Sequence, residues 1–143
     1  MIAAGALFYA RNTNRFLLLH RTQGKRSQVW GLVGGSQELG ETAWECCNRE
    51  IKEEVGLVEI EKILPLEKFC TRDKSFEYHT YVCFIEEEFI PNLNHEHDGY
   101  AWVTYGKWPN PLHYGLKNTL AKKYNKDKLK TVLEVMAFHR NER

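Results

Sequence analysis

The sequence predicts an α+β or α/β sandwich in one domain covering residues 1–143. Two observations lead to that class. Extended runs outnumber helical segments and alternate with them along the chain, and clusters of Gly, Pro, Asn and Asp punctuate the intervals. A chain of 143 residues has the size of one domain and can bury roughly two-thirds of its unfolded surface.

Ile2 to Tyr9 is apolar and rich in small residues, which suits a buried strand. Arg11-Asn12-Thr13-Asn14 reads as a polar turn, and Arg15 to His20 as the partner strand. Thr22 to Gln28 is a polar, basic loop. Val29 to Val33 is a short strand running into Gly34-Gly35. Ile60 to Arg72 and Phe76 to Glu87 are extended runs flanking Asp73-Lys74-Ser75, a hairpin pattern. Pro91 to Gly99 is a loop, and Tyr100 to Tyr105 a further strand. Pro109-Asn110-Pro111 breaks the chain before helical character at His113 to Tyr124. Leu129, Val132, Leu133 and Met136 then recur at helical spacing within Asp127 to Phe138.

A net charge of +1 provides no large basic face, so stable nucleic-acid binding is not expected. The opening MIAAGALFYAR lacks a basic n-region and a long apolar run, and no segment approaches the roughly 20 apolar residues of a membrane span. Cys46, Cys47, Cys70 and Cys83 have no CxxC spacing and read as packing residues in a reduced compartment. The expectation is a soluble cytoplasmic protein. A homodimer is compatible with the sequence, which does not set the oligomeric state.

The third helix lies between these segments. Thr42-Ala43-Trp44-Glu45 fits a capping box, and Gly56 suits the position just past a helix C-terminus, so Ala43 to Val55 is helical. At about 100° per residue, Trp44, Cys47, Ile51 and Val55 form a buried stripe. Glu50, Glu53 and Glu54 occupy another arc, with Glu54 nearest the apolar edge. Three carboxylates at this end oppose the helix dipole, and the Glu50–Glu54 pair adds roughly 0.2–0.5 kcal/mol of repulsion. Arg49 can answer Glu53 or Glu45, but one arginine cannot neutralise the cluster. A solvated acidic face is one explanation. A hard divalent cation bound by carboxylate oxygens is the other, and the preceding Gly34-Gly35 turn, which lets backbone approach a ligand closely, favours it.

Gly35, five residues, Glu41, seven residues, then Arg49-Glu50-Ile51-Lys52-Glu53-Glu54-Val55-Gly56-Leu57 resembles the Nudix box, GX5EX7REUXEEXGU with U aliphatic, at every fixed position. The flanking LLLHR and WGLVGG, and YAWV after the acidic loop, are also similar to the family. Where many nucleotide-cleaning relatives have Pro before the two glycines, this chain has Val33, which ties it to no single subfamily.

The resemblance implies an α/β/α sandwich with a mixed sheet and a loop–helix–loop catalytic motif. It also implies Mg²⁺- or Mn²⁺-dependent hydrolysis of a nucleoside diphosphate linked to another moiety. The substrate expected is a small nucleotide, such as a nucleoside triphosphate cut to monophosphate and pyrophosphate. Dinucleoside polyphosphates, ADP-ribose and nucleotide sugars stay open, as does a catalytically silent nucleotide sensor. Carried over by position, Glu50 and Glu54 are metal ligands, Glu53 is a ligand or supporting carboxylate, and the Gly34 carbonyl completes the set. Arg49 orients the glutamates and Glu41 braces the loop. Glu50 and Glu96 compete as general base. Within His95-Glu96-His97-Asp98, zinc binding through both histidines, a plain solvated loop, and assistance by Glu96 or Asp98 are the readings. Arg21, Lys25 and Arg26 either hold distal phosphates or form a solvated loop. Tyr9, Phe69, Tyr81 and Trp102 can stack on a base, though core packing is the plainer role for each, as for Trp30 and Trp44.

Overall fold

The computed structural model describes residues 1–24 and 27–141, the last four by backbone alone. Lys25 and Arg26 lie outside the described residues. The chain runs β1 (Ile2–Ala10), β2 (Arg15–Arg21), β3 (Val29–Gly31), β4 (Val33–Ser36), α1 (Ala43–Glu54), β5 (Lys62–Cys70), β6 (Glu77–Ile85), β7 (His97–Thr104), α2 (Tyr114–Ala121) and α3 (Lys123–Asn141).

The sheet is mixed. β1 and β6 are parallel over their full lengths, and β5 is antiparallel to β6. Along its other edge β1 meets β4 from Ala3 to Ala6, and β2 only at Tyr9↔Phe16 and Ala10↔Arg15. The expected β1–β2 hairpin therefore holds at its base, after which β2 diverges to pair with β7 along its length and with β3 at its end. The single strand expected from Val29 to Val33 is two, because the chain changes partner at Leu32, from β2 to β1.

Period-two alternation divides the core into two layers. Ala4, Ala6, Phe8 and Ala10 join Leu17, Leu19, Cys83 and Ile85 against α1 through Cys46, Cys47, Ile51 and Val55. Leu7 and Tyr9 join Phe16, Leu18, Val82 and Phe84 against Leu116, Leu120, Leu129 and Val132 of α2 and α3. The result is an α/β/α sandwich. Cys46, Cys47 and Cys83 pack as expected, whereas Cys70 is exposed at the end of β5. Tyr9 is core, and Trp30, Trp44, Tyr81 and Trp102 pack half-buried against it. Phe69 departs from expectation: it is exposed, with the Lys122 Nζ 5.1 Å from its ring centroid. Among the described residues, no helix is long and apolar enough to cross a membrane.

A β-bulge sits in β5 between Pro65 and Glu67. It lets the consecutive residues Leu66 and Glu67 both turn toward α2 and α3, which strict alternation forbids. Leu66 enters the core. Glu67 accepts hydrogen bonds from Thr119 Oγ1 at 2.8 Å, Lys122 Nζ at 2.7 Å, Tyr124 Oη at 2.8 Å and Asn125 Nδ2 at 2.9 Å. One carboxylate thereby fastens the α2–α3 elbow to the sheet.

Candidate active site

Helix α1 starts as expected. The Thr42 side chain accepts from the Glu45 N–H at 3.1 Å and Glu45 accepts from the Thr42 N–H at 2.9 Å. Glu45 is thus committed to the cap, and Arg49 turns to other partners. Its Nε and Nη2 grip the Glu41 carboxylate at 2.8 and 3.1 Å. Nη2 also reaches the Ser36 carbonyl at 2.9 Å, while Nη1 donates to Glu50 at 3.0 Å and to Glu53 at 3.2 Å. One guanidinium thus ties the loop after β4 to two of the three clustered glutamates. The hydrogen bond from Arg49 holds the Glu41 carboxyl below its ordinary range, and the same contact raises Arg49.

The buried surface of α1 is wider than the apolar stripe, because Cys46 and Glu54 are also enclosed. Glu54 is 2% exposed and accepts the Gly34 N–H at 2.7 Å. Burial pushes its carboxyl up to about 8 despite that donor. Burial also raises Glu50, whose side chain is 14% exposed, against the opposing pull of Arg49. Glu53 is different. Half its side chain faces solvent, and its carboxylate is held by Arg49.

The two glycines of β4 have separate reasons to be glycine. A Cβ at Gly34 would lie 2.2 Å from the Ala4 carbonyl oxygen, so β4 could not pair with β1. A Cβ at Gly35 would lie 2.5 Å from the Glu50 carboxylate, which rests directly against the strand. Gly35→Ala is expected to displace the Glu50 carboxylate and cut turnover by about a hundredfold, the scale of effect when a positioning group in a site shifts by an ångström. Circular dichroism of the variant should remain native. Turnover within twofold of wild type would show that the position of Glu50 is immaterial.

The loop before β7 completes the site. Asn94 Nδ2 donates to the Glu53 carbonyl at the end of α1 at 3.2 Å, and Asn94 Oδ1 accepts from the Glu96 N–H at 3.0 Å. Thr22 donates through its N–H to the Glu96 carbonyl at 2.9 Å. These contacts bring Glu96 and His97 to Glu54, with one ligand-capable atom of each within 4.8 Å of the others. His97 is buried, its Nδ1 is 3.7 Å from Glu54 Oε2, and that nitrogen has no hydrogen-bond partner. Burial keeps its ring below the usual histidine range. His95 is exposed and stays outside this group, and Asp98 pairs instead with His20 Nδ1 at 2.6 Å. The pairing of His95 with His97 is therefore not the arrangement formed. Asn94 was not anticipated, and its Asx-type contact is invisible without the facing helix end.

A cavity of about 540 Å³ opens beside this cluster. Its lining includes Gly34, Gly35, Ser36, Arg21 and His97 together with Phe69, Phe76, Tyr78, Leu116 and Asn118. His97 belongs both to the acidic group and to the cavity wall.

A family model for the NUDIX domain matches residues 1–123. The chain belongs to the Nudix hydrolase family. A dihydroneopterin triphosphate diphosphatase from Haemophilus influenzae is 31% identical over 118 residues, covering 71% of this chain and 72% of that one. The Escherichia coli K12 protein of the same name is 37% identical over 76 residues, 53% of this chain and 49% of it. The matched region thus spans about half of that second relative. A Nudix hydrolase from M. smegmatis superposes with a TM-score of 0.69 over 95% of this chain and 85% of its own, at 22% identity, a likeness of fold. The sandwich, the mixed sheet and the loop–helix–loop motif are those the Nudix box implied.

Nudix hydrolases generally use a divalent metal ion, and the residues here fit one. Glu54 is a buried carboxylate with a single N–H partner, beside an unpartnered histidine nitrogen and the Glu96 carboxylate. Such an oxygen-rich donor set suits a hard cation.

Proposed function

We propose that the protein is a Mg²⁺- or Mn²⁺-dependent pyrophosphohydrolase that cleaves a nucleoside triphosphate to monophosphate and pyrophosphate. The observation that carries this reading is Glu54, a buried carboxylate gathered with Glu96 and with His97, which also lines a ligand-sized cavity. Glu54 holds the metal together with Glu50 and the Gly34 carbonyl, the positions the Nudix box implies, with Glu53 in support through Arg49 and with Glu96 and His97 gathered beside Glu54. When bound, the ion screens the diphosphate charge and activates a water for attack on phosphorus. Arg49 positions Glu50 against Gly35, and Glu41 fixes Arg49. Arg21, which lines the cavity, meets the distal phosphates, and Lys25 and Arg26, which follow it in the sequence, are the further candidates for that task. The aromatic lining of the cavity receives the heterocycle.

Between the two base candidates, Glu96 is favoured. Arg49 occupies one oxygen of Glu50, while among the described residues Glu96 is held through its backbone, with no side-chain hydrogen bond competing for its carboxylate. Glu96→Gln is expected to lower kcat about a hundredfold at saturating magnesium, with little change in the magnesium concentration giving half-maximal rate. An unaltered kcat would transfer the role to Glu50.

A second reading is favoured by the names of the two relatives. Dihydroneopterin triphosphate has the same triphosphate chain on a bicyclic pterin and suits the same cavity. A pyrophosphate-release screen over nucleoside triphosphates, dihydroneopterin triphosphate, dinucleoside polyphosphates, ADP-ribose and nucleotide sugars, with each metal, decides between them. Pyrophosphate from a nucleoside triphosphate is the expected result. Strong preference for the pterin substrate selects the second reading, and no turnover of any compound overturns both.

A further inference from the structure

On the face of β1 that meets α2 and α3, the side chains taper from Tyr9 and Leu7 to Gly5 and Ala3. The space left by the two small residues is occupied from β6. Tyr78 stands beside Ala3 in the parallel register, and its hydroxyl lies over Gly5. A Cβ at Gly5 would meet that oxygen at 2.3 Å and Leu32 Cδ1 at 3.2 Å. Gly5 has no positive φ, so its backbone does not require glycine. The requirement is room for the phenol.

Tyr78 also lines the cavity, with the Phe76 ring centroid 6.4 Å from its own at 48°. Its ring therefore has β1 and Leu32 beneath it and open space on the cavity side. We infer that Gly5 and Tyr78 form a depth stop that sets the cavity for a bicyclic heteroaromatic ring on a triphosphate. This rests on the reading above that the cavity takes the substrate's heterocycle. With a methyl group at position 5, the phenol must lift into the cavity. A two-ring base then loses its place sooner than a one-ring base. Gly5 also pairs with Gly34, whose N–H donates to Glu54, so a role confined to specificity shows as a loss that depends on ring size and is relieved when the phenol is removed.

Binding of the α,β-methylene analogues of GTP and CTP, measured by calorimetry with magnesium, tests this without turnover. Gly5→Ala is expected to weaken the GTP analogue about tenfold more than the CTP analogue, the scale of a misfitted group in an apolar pocket. The double variant Gly5→Ala with Tyr78→Leu is expected to recover most of the loss, because the displaced ring is gone. Tyr78→Leu alone, which keeps glycine at position 5, should narrow the preference for the larger base. Equal weakening of both analogues in Gly5→Ala, no recovery in the double variant, or no binding of either analogue to wild type would overturn the inference. If wild type binds the GTP analogue more tightly than the CTP analogue and the variants behave as expected, but no triphosphate is hydrolysed, the catalytic reading fails while the depth stop stands.

Discussion

Glu54→Gln is expected to lower kcat/KM by at least about 10²–10³ while the apo protein melts at the same temperature or higher. Both halves follow from the surroundings of this side chain. Its carboxyl is 2% exposed, has one hydrogen-bond donor, and is raised to about 8 by burial. An ionised carboxylate there is costly to the empty protein, and repulsion from Glu50 one turn away adds to the cost. Glutamine retains the carbonyl oxygen that accepts the Gly34 N–H and removes the charge, so the apo fold gains or breaks even. The loss appears where a cation is needed. Wild type should melt higher as magnesium is added, by the linkage between binding and folding, and the variant should not. Activity near the wild-type level, or an equal magnesium-induced rise in melting temperature, would remove Glu54 from the metal site. Under the proposed metal role, the crowding of acid at this helix C-terminus is a stability cost retained for binding.

The parts of the molecule legible in the sequence are those whose chemistry is local. The Thr42–Glu45 capping box, the turn at Gly56 with φ +98°, and the contacts of Arg49 with Glu50 and Glu53 lie within a few residues of one another, and fixed spacing specifies them. Glu54 was legible in part, since its arc borders the apolar stripe. Long-range features were not. The parallel pairing of β1 with β6 and the transfer of β2 from β1 to β7 depend on partners distant in the chain. Sequence spacing alone neither separates His95 from His97, which strict alternation would put on one side, nor reveals that the neighbours Glu96 and His97 converge on Glu54. That convergence arises because β7 begins at His97, three residues before the apolar run at Tyr100, and because Asn94 anchors the loop to α1. The position of Glu67 was also hidden, because a bulge reverses the face that period-two counting assigns to it.

Glu67→Ala is expected to lower unfolding free energy by about 3–5 kcal/mol at pH 7, the scale for removing one partner of a buried charged network. The carboxylate side chain is 3% exposed, and its loss leaves Thr119, Tyr124, Asn125 and the Lys122 ammonium without their shared acceptor. Asn125 Nδ2 keeps a second acceptor, the Thr119 carbonyl at 2.9 Å, whereas the hydrogen bonds that Glu67 takes from Lys122 and Tyr124 are lost. Burial alone would raise the Glu67 carboxyl. The hydrogen bonds from Lys122, Asn125, Thr119 and Tyr124 together outweigh burial and bring it down to about 2. A folded-state value below the unfolded one means that the unfolded chain takes up the proton first. The contribution is therefore complete above about pH 4.5 and is lost as pH falls toward 2, amounting to roughly 3 kcal/mol. Urea titrations at pH 7, 5 and 3 measure it. Wild type should lose more stability than Glu67→Gln between pH 5 and pH 3, since the amide cannot titrate. Identical losses would mean that the network draws nothing from the ionised form. Because Thr119 and Lys122 also line the cavity, the same carboxylate that secures the α2–α3 elbow fixes one of its walls, so the packing of that elbow shapes the space proposed for the substrate.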